Sequence, residues 1–129
     1  MRITFSVSGQ PRGKARPRLS KYGVYTPKET KEYEKTIRRA YITASKGQSF
    51  GNREVGVIVK AVYNRAKTNK ARLPKVKPDI DNVVKAVLDG LNGAAYVDDK
   101  QVVKLYAYKV FTSDSEQSKI EVTVCDVET

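Results

Sequence analysis

Residues 55–63 place Val55, Val57, Val59, Ala61 and Tyr63 at every second position, the signature of a strand with one face buried. Further on, Val83, Val84, Val87, Leu88 and Leu91 recur at the spacing of one helix face, with Asn92-Gly93 as its stop. A change of period from 2 to about 3.6 within one short segment commits the chain to helix packed on sheet.

The same two patterns occur on either side. Ile3, Phe5 and Val7 alternate over residues 2–8 as a half-buried strand. Gly9 to Arg18, with two prolines, two glycines and four bases, cannot be regular structure. Thr26-Pro27-Lys28-Glu29 predicts a helix start, with Thr26 as N-cap, Pro27 at the first helical position and Glu29 closing a capping box. Tyr33, Ile37, Ala40, Tyr41 and Ala44 continue at helical spacing toward a stop at Gly47. Residues 64–77 read as a basic loop ending at Pro78, and the second helix is expected from Asn82. Residues 102–111 and 119–125 read as two more strands, with Ile120, Val122 and Val124 inward. The expected order is β-α-β-α-β-β, a small α/β (α+β) domain spanning 1–129 with two main helices on a mixed sheet. No internal repeat or linker interrupts it, and strand order does not follow from the pattern.

Charge is uneven. The chain carries 25 Lys+Arg against 14 Asp+Glu, a net +11. Residues 1–78 hold 20 basic and 4 acidic side chains, whereas residues 79–129 hold 5 and 10. Such asymmetry points to a polyanion, nucleic acid before an anionic membrane, although a basic protein can also simply be well solvated. There is no histidine and a single cysteine, Cys125. That removes the usual zinc sites, Ser-His-Asp and Cys-His nucleophiles, and any intrachain disulfide. With no apolar run near a membrane span and no signal-like start, the chain is expected in the cytoplasm.

Within this basic setting, Asp79, Asp81, Asp89, Asp98 and Asp99 crowd into one region with Lys85 among them. Clustered carboxylates repel unless a proton or a divalent cation neutralises them. Pro78 keeps the preceding chain extended, so Asp79 and Asp81 are expected on one side, with Cα atoms ~6.6 Å apart. Asp81, Lys85 and Asp89 follow at intervals of four along one helical face. Each residue also has a plainer reading. Asp81 or Asn82 can be an N-cap, the Asp-Lys-Asp ladder can be surface ion pairs of ~0.3–0.5 kcal/mol each, and Asp98-Asp99-Lys100 is ordinary turn composition. Taken together in so basic a chain, they favour a site.

Two stretches, Pro78-Asp79-Ile80-Asp81-Asn82-Val83-Val84-Lys85-Ala86-Val87-Leu88-Asp89-Gly90-Leu91 and Tyr96-Val97-Asp98-Asp99-Lys100-Gln101-Val102-Val103, closely resemble the RusA family of small Holliday-junction-resolving endonucleases of bacteria and their prophages. The family pattern, D-x-D-N-x-x-K-x-x-x-D-x-L and then D-D-x-x-V, is complete in this chain. Pro11 to Arg18 and Tyr25-Thr26-Pro27 are similar to versions from prophages of Gram-positive bacteria. The resemblance implies that Asp79, Asp81 and Asp99 are metal-binding and catalytic, that Lys85 is the catalytic lysine, and that Asp98 is a further acidic position at the metal. Asp89 matches another acidic position. It also implies a homodimer that uses Mg²⁺ or Mn²⁺ to cut a four-way junction symmetrically, in DNA recombination and repair.

The residue chemistry agrees with this. Hard oxygen donors without imidazole or thiolate suit Mg²⁺ or Mn²⁺, as one ion or two. Lys85 among acids should stay protonated and could meet a phosphate oxygen or orient water. Arg12, Lys14, Arg16 and Arg18 alternate along one edge of an extended loop, with Tyr22 and Tyr25 nearby to stack on an unpaired base or to pack. Lys70, Arg72, Lys75 and Lys77 form a second basic run leading to Asp79. Phosphate contacts of this kind give affinity with little sequence reading, which suits a partner recognised by shape, such as branched DNA. Two rivals remain: a non-catalytic basic DNA-binding protein, and a metal-dependent phosphatase or nucleotide hydrolase. Membrane binding lacks a basic amphipathic helix with large apolar anchors.

Overall fold

The computed structural model describes residues 1–15, 17–113 and 116–127. Its elements are β1 (Arg2–Ser8), β2 (Arg18–Ser20), β3 (Gly23–Tyr25), α1 (Lys28–Ser45), β4 (Val55–Tyr63), α2 (Ile80–Leu91), a 3₁₀ turn at Asp99–Gln101, β5 (Val102–Phe111) and β6 (Lys119–Asp126). Four strands form one sheet in the order β1-β6-β4-β5, and β2 and β3 form a separate hairpin. β6 runs antiparallel to both β1 and β4, while β5 runs parallel to β4. The fold is therefore α+β, with two helices on a mixed sheet as expected, and the hairpin is an addition to the expected order.

β4 lies between β5 and β6 and is the most deeply buried strand. Its alternating Val55, Val57, Val59, Ala61 and Tyr63 are buried as expected, and so is Val62 on the other face. Ile37 and Tyr41 of α1, Val83, Val87 and Leu91 of α2, and Ile120, Val122 and Val124 of β6 complete the core, with Phe5 edge-on to Tyr41 at 6.1 Å between ring centres. A parallel pair needs a crossover, and α2 supplies it between β4 and β5. This connection places the second helix between the two acidic stretches.

Both helix starts differ from expectation. α1 begins at Lys28, so Pro27 occupies the N-cap position, with ψ 146° and no side-chain cap, and Thr26 lies one residue outside. Pro27 has no N–H to leave unsatisfied, and its extended ψ delays the first turn by one residue. At the other end, Ala44 is exposed and Ser45 is buried. The helix closes where the Gly47 N–H, at φ 79°, donates to the Ile42 carbonyl at 3.0 Å. α2 begins at Ile80 with Asp79 as an uncapped N-cap residue, two residues ahead of Asn82. Asp79 and Asp81 therefore do not share an extended segment, because Asp81 is already in the first helical turn.

The helices meet closely at Gly90. A Cβ there would stand 2.9 Å from the Ile37 Cβ and 3.0 Å from the Glu34 carbonyl oxygen, part of the α1 backbone. Gly90→Ala should therefore destabilise the fold by about 1–3 kcal/mol through overpacking, despite the better helix propensity of alanine. Urea unfolding would show this as a lower midpoint; an unchanged or higher midpoint would mean that the helices can part freely.

Candidate active site

Two buried tyrosines fix the ends of α2. At its start, the Tyr63 hydroxyl donates to the Pro78 carbonyl at 3.3 Å. Its pKa is pushed up to about 12, by burial first and then by Tyr33 and the Asp79 carboxylate. Toward its end, the Tyr96 hydroxyl donates to the Leu88 carbonyl at 2.9 Å. Burial, then Asp99, Asp89 and Asp98, raise its pKa too. Each phenol thus sits beside one of the two acidic stretches, stays neutral, and anchors main chain there. The apolar patterning marked neither as a positioning residue, because an interior tyrosine reads simply as core.

Asp98 and Asp99 are held by a buried side chain that the pattern also left unnoticed. Gln101 accepts from the Val97 and Asp98 N–H groups at 3.0 Å each, and donates to the Gly51 and Arg53 carbonyls at 2.7 and 2.8 Å. Asp98 caps the 3₁₀ turn, accepting from the Lys100 N–H, and so combines the turn role with a place at the site. Asp99 is half-buried, and its pKa is raised by burial first, then by a hydrogen bond and charge from Asp98 and by the charge of Asp89; Lys85 opposes the rise. Asp98, Asp99, Asp89 and Lys85 thus share one electrostatic neighbourhood.

Asp79 and Asp81 are exposed at the start of α2, and Lys85 is exposed one turn on. Their backbone is gripped from the N-terminal side. The Lys14 N–H donates to the Asn82 carbonyl at 2.9 Å. Gly13 is pressed so close that a Cβ would stand 2.9 Å from the Cβ atoms of both Pro78 and Asn82. Arg12, Lys14 and Lys77 line a cleft of about 480 Å³ that also reaches Asp79. Arg12, Lys70, Arg72, Lys75 and Lys77 are exposed, whereas the Lys14 ammonium points inward to Glu34 and Asp89. Arg16 lies outside the described residues, as does the side chain of Arg18. Tyr22 is 88% exposed and Tyr25 is 45% exposed, so neither is packed into the core.

The second basic loop is tied to β5. Lys109 donates to the Val76 carbonyl at 2.6 Å, and the Arg65 guanidinium stacks over Phe111 at 4.0 Å while donating to the Asn69 and Ala71 carbonyls. These bonds hold the loop that ends at Asp79 against the sheet.

Every oxygen donor of this region is hard. The crowded Asp98-Asp99 pair, where burial first and then the neighbouring carboxylate raise the Asp99 pKa, fits a divalent cation by its chemistry. Among the described residues, no three acids, histidines or cysteines close on one point tightly enough to hold an ion. Asp79-Asp81 and Asp98-Asp99 stand as two pairs, with Lys85 in the helix that links them.

A mixed sheet carries a crossover helix with acidic residues before, on and after it, beside a basic cleft, and this defines an acid-centred site with a basic approach. The chain belongs to the RusA endodeoxyribonuclease family, whose pattern it matches over residues 8–125. It is therefore placed among nucleases. It is also 32% identical to the uncharacterized protein YqaN of Bacillus subtilis (strain 168), over 97% of this chain and 96% of that protein. Among the described residues, no helix is long and apolar enough to cross a membrane.

Proposed function

We propose that this chain is a Mg²⁺-dependent endonuclease, with Mn²⁺ as an alternative ion, that resolves four-way DNA junctions by paired symmetric cuts in recombination and repair, as a cytoplasmic homodimer. The observation that carries the reading is the placing of one acidic pair at the start of the crossover helix, the other in the turn beyond its end and Lys85 on the helix itself, beside a cleft walled by Arg12 and Lys77. Asp98 and Asp99 would hold the ion from one side and Asp79 and Asp81 from the other, which requires the two pairs, apart among the described residues, to draw together on it. When bound, it supplies Lewis-acid charge and lowers the pKa of water.

The chain's own residues do the rest. Arg12 and Lys77 draw a phosphate to Asp79, and Lys70, Arg72 and Lys75 extend the basic track. Lys85 offers a mobile ammonium to the charge that builds on the phosphate. The exposed hairpin carrying Tyr22 offers an aromatic ring to an unstacked base.

Paired cuts need two sites related by a twofold axis. β5 supports a partner there. It is an edge strand of the sheet, and Val103, Leu105 and Tyr106 are 53, 50 and 64% exposed on it. Light scattering should give the mass of two chains.

Incubation with a labelled four-way junction and a linear duplex, in Mg²⁺ or in EDTA, tests the activity. Paired nicks in the junction alone, lost in EDTA, are expected. Binding without cuts in Mg²⁺ would favour a silent DNA-binding protein. Release of phosphate from nucleotides without nicking would favour a phosphatase.

A further inference from the structure

Lys14 turns its ammonium away from solvent. Its Nζ lies 2.6 Å from Glu34 Oε2 on α1 and 3.1 Å from Asp89 Oδ2 on α2. The three side chains are only 16, 18 and 21% exposed. Burial opposes the charge on Lys14, but hydrogen bonds to both carboxylates outweigh it and raise its pKa. The Gly13 contact and the bond from the Lys14 N–H to Asn82 hold the same loop on α2 through its backbone. A base that grips phosphate needs a free head group, and this one is engaged at the seam between the helices.

Asp89 links this seam to the candidate site. The Oδ2 atom that Lys14 holds at 3.1 Å lies 4.0 Å from Lys85 Nζ, and the Lys85 side chain is 62% exposed. A poorly solvated carboxylate demands a close cation. Lys14 meets that demand, so Lys85 is left at a loose distance with its ammonium in solvent. Were Lys14 uncharged, Lys85 would be the cation nearest to Asp89 on its own helix, one turn away.

Resting on the nuclease reading above, we propose that Lys14 is a positioning residue. It neutralises Asp89 and Glu34 between the two helices, and so leaves Lys85 free to meet the substrate phosphate without itself touching DNA.

Lys14→Met keeps most of the stem and removes the charge. In the full chain, single-turnover cleavage of a four-way junction should fall about tenfold to a hundredfold, as expected when an acting group is misplaced. Measured in the Lys85→Ala background, Lys14→Met should leave the slope of log affinity against log salt unchanged, because the one phosphate contact it can disturb is then already absent. Arg12→Gln, measured alongside, should lower that slope by about 0.9, the mark of one lost phosphate contact. Adding Asp89→Asn to Lys14→Met should restore most of the rate, because the carboxylate that captures Lys85 is gone.

A further fall of about 0.9 in the slope when Lys14→Met is added to Lys85→Ala would make Lys14 itself a phosphate contact and overturn the proposal. So would a folded double variant that stays as slow as Lys14→Met. If Lys14→Met does not fold, the double variant carries the test alone: near-wild-type rate and slope support the proposal, and loss of either overturns it. Wild-type protein that fails to cut the junction would sink the nuclease reading itself, a result distinct from any change confined to the variants.

Discussion

Asp81→Asn is expected to abolish cleavage while leaving junction binding intact or tighter. Asp81 lies in the first turn of α2 and is exposed, and the N-cap position before it belongs to Asp79. Its carboxylate therefore contributes to the fold through the helix dipole alone, about 0.3–1 kcal/mol. The variant should fold, with an unfolding midpoint close to the wild type. Binding should hold or improve because the chain already carries +11 and the change removes an exposed negative charge. Cleavage should disappear because an amide is a poorer ligand for a hard divalent cation and cannot balance its charge. A single-turnover assay in Mg²⁺ that finds more than a small fraction of the wild-type rate would remove Asp81 from the site. A variant that loses stability well beyond the dipole value would instead assign it a structural role.

The main strands and both helices were legible because their patterns report burial at a local period. Val55 to Tyr63 alternates because one face of β4 meets the helices, and Val83 to Leu91 repeats because one face of α2 meets the sheet. The hairpin of Arg18–Ser20 and Gly23–Tyr25 was not legible. Leu19 and Val24 stand 82 and 66% exposed, so no buried face stamps an alternation on its sequence. The starts of α1 and α2 shifted because Pro27 and Asp79 hold extended ψ values that composition near a helix end does not determine. The parallel pairing of β4 with β5 depends on the crossover, which spacing alone leaves open.

At the site, the acids and Lys85 stood out because like charges in sequence are costly without a partner. What holds them did not. Gln101 makes its bonds to Gly51 and Arg53, and Lys14 pairs with Glu34 and Asp89, all across long stretches of chain. A lysine alternating with arginines in a glycine-rich loop looks like a phosphate contact until the fold brings two carboxylates to it. The two acidic pairs stand at opposite ends of one helix, Asp79 and Asp81 at its start and Asp98 and Asp99 in the turn beyond its end. Whether they act together in cleavage is what the Asp81 and Lys85 variants measure.

Lys85→Ala should slow the cut far more than it weakens binding. The side chain is 62% exposed and reaches Asp89 only at 4.0 Å, so its pairing is a loose surface contact worth at most ~0.5 kcal/mol. Removing it should scarcely alter stability. One lost cation on a strongly basic surface should change junction affinity only slightly, with a salt slope lower by about 0.9 at most. The rate is a different matter. Asp99 already feels the Lys85 charge, so the ammonium stands in the same neighbourhood as the acids, where charge would build on the phosphate. Loss of one such donor costs about 3 kcal/mol in the transition state, roughly a hundredfold in turnover. Lys85→Arg sharpens the result, because it keeps the charge but replaces a compact mobile ammonium with a planar fork of different reach. A hundredfold loss in Lys85→Ala with partial recovery in Lys85→Arg identifies charge as the main contribution, and equal loss in both identifies shape. If both variants cut at the wild-type single-turnover rate, Lys85 is no more than the middle of a surface ion-pair ladder, and the chemistry rests on the aspartates alone.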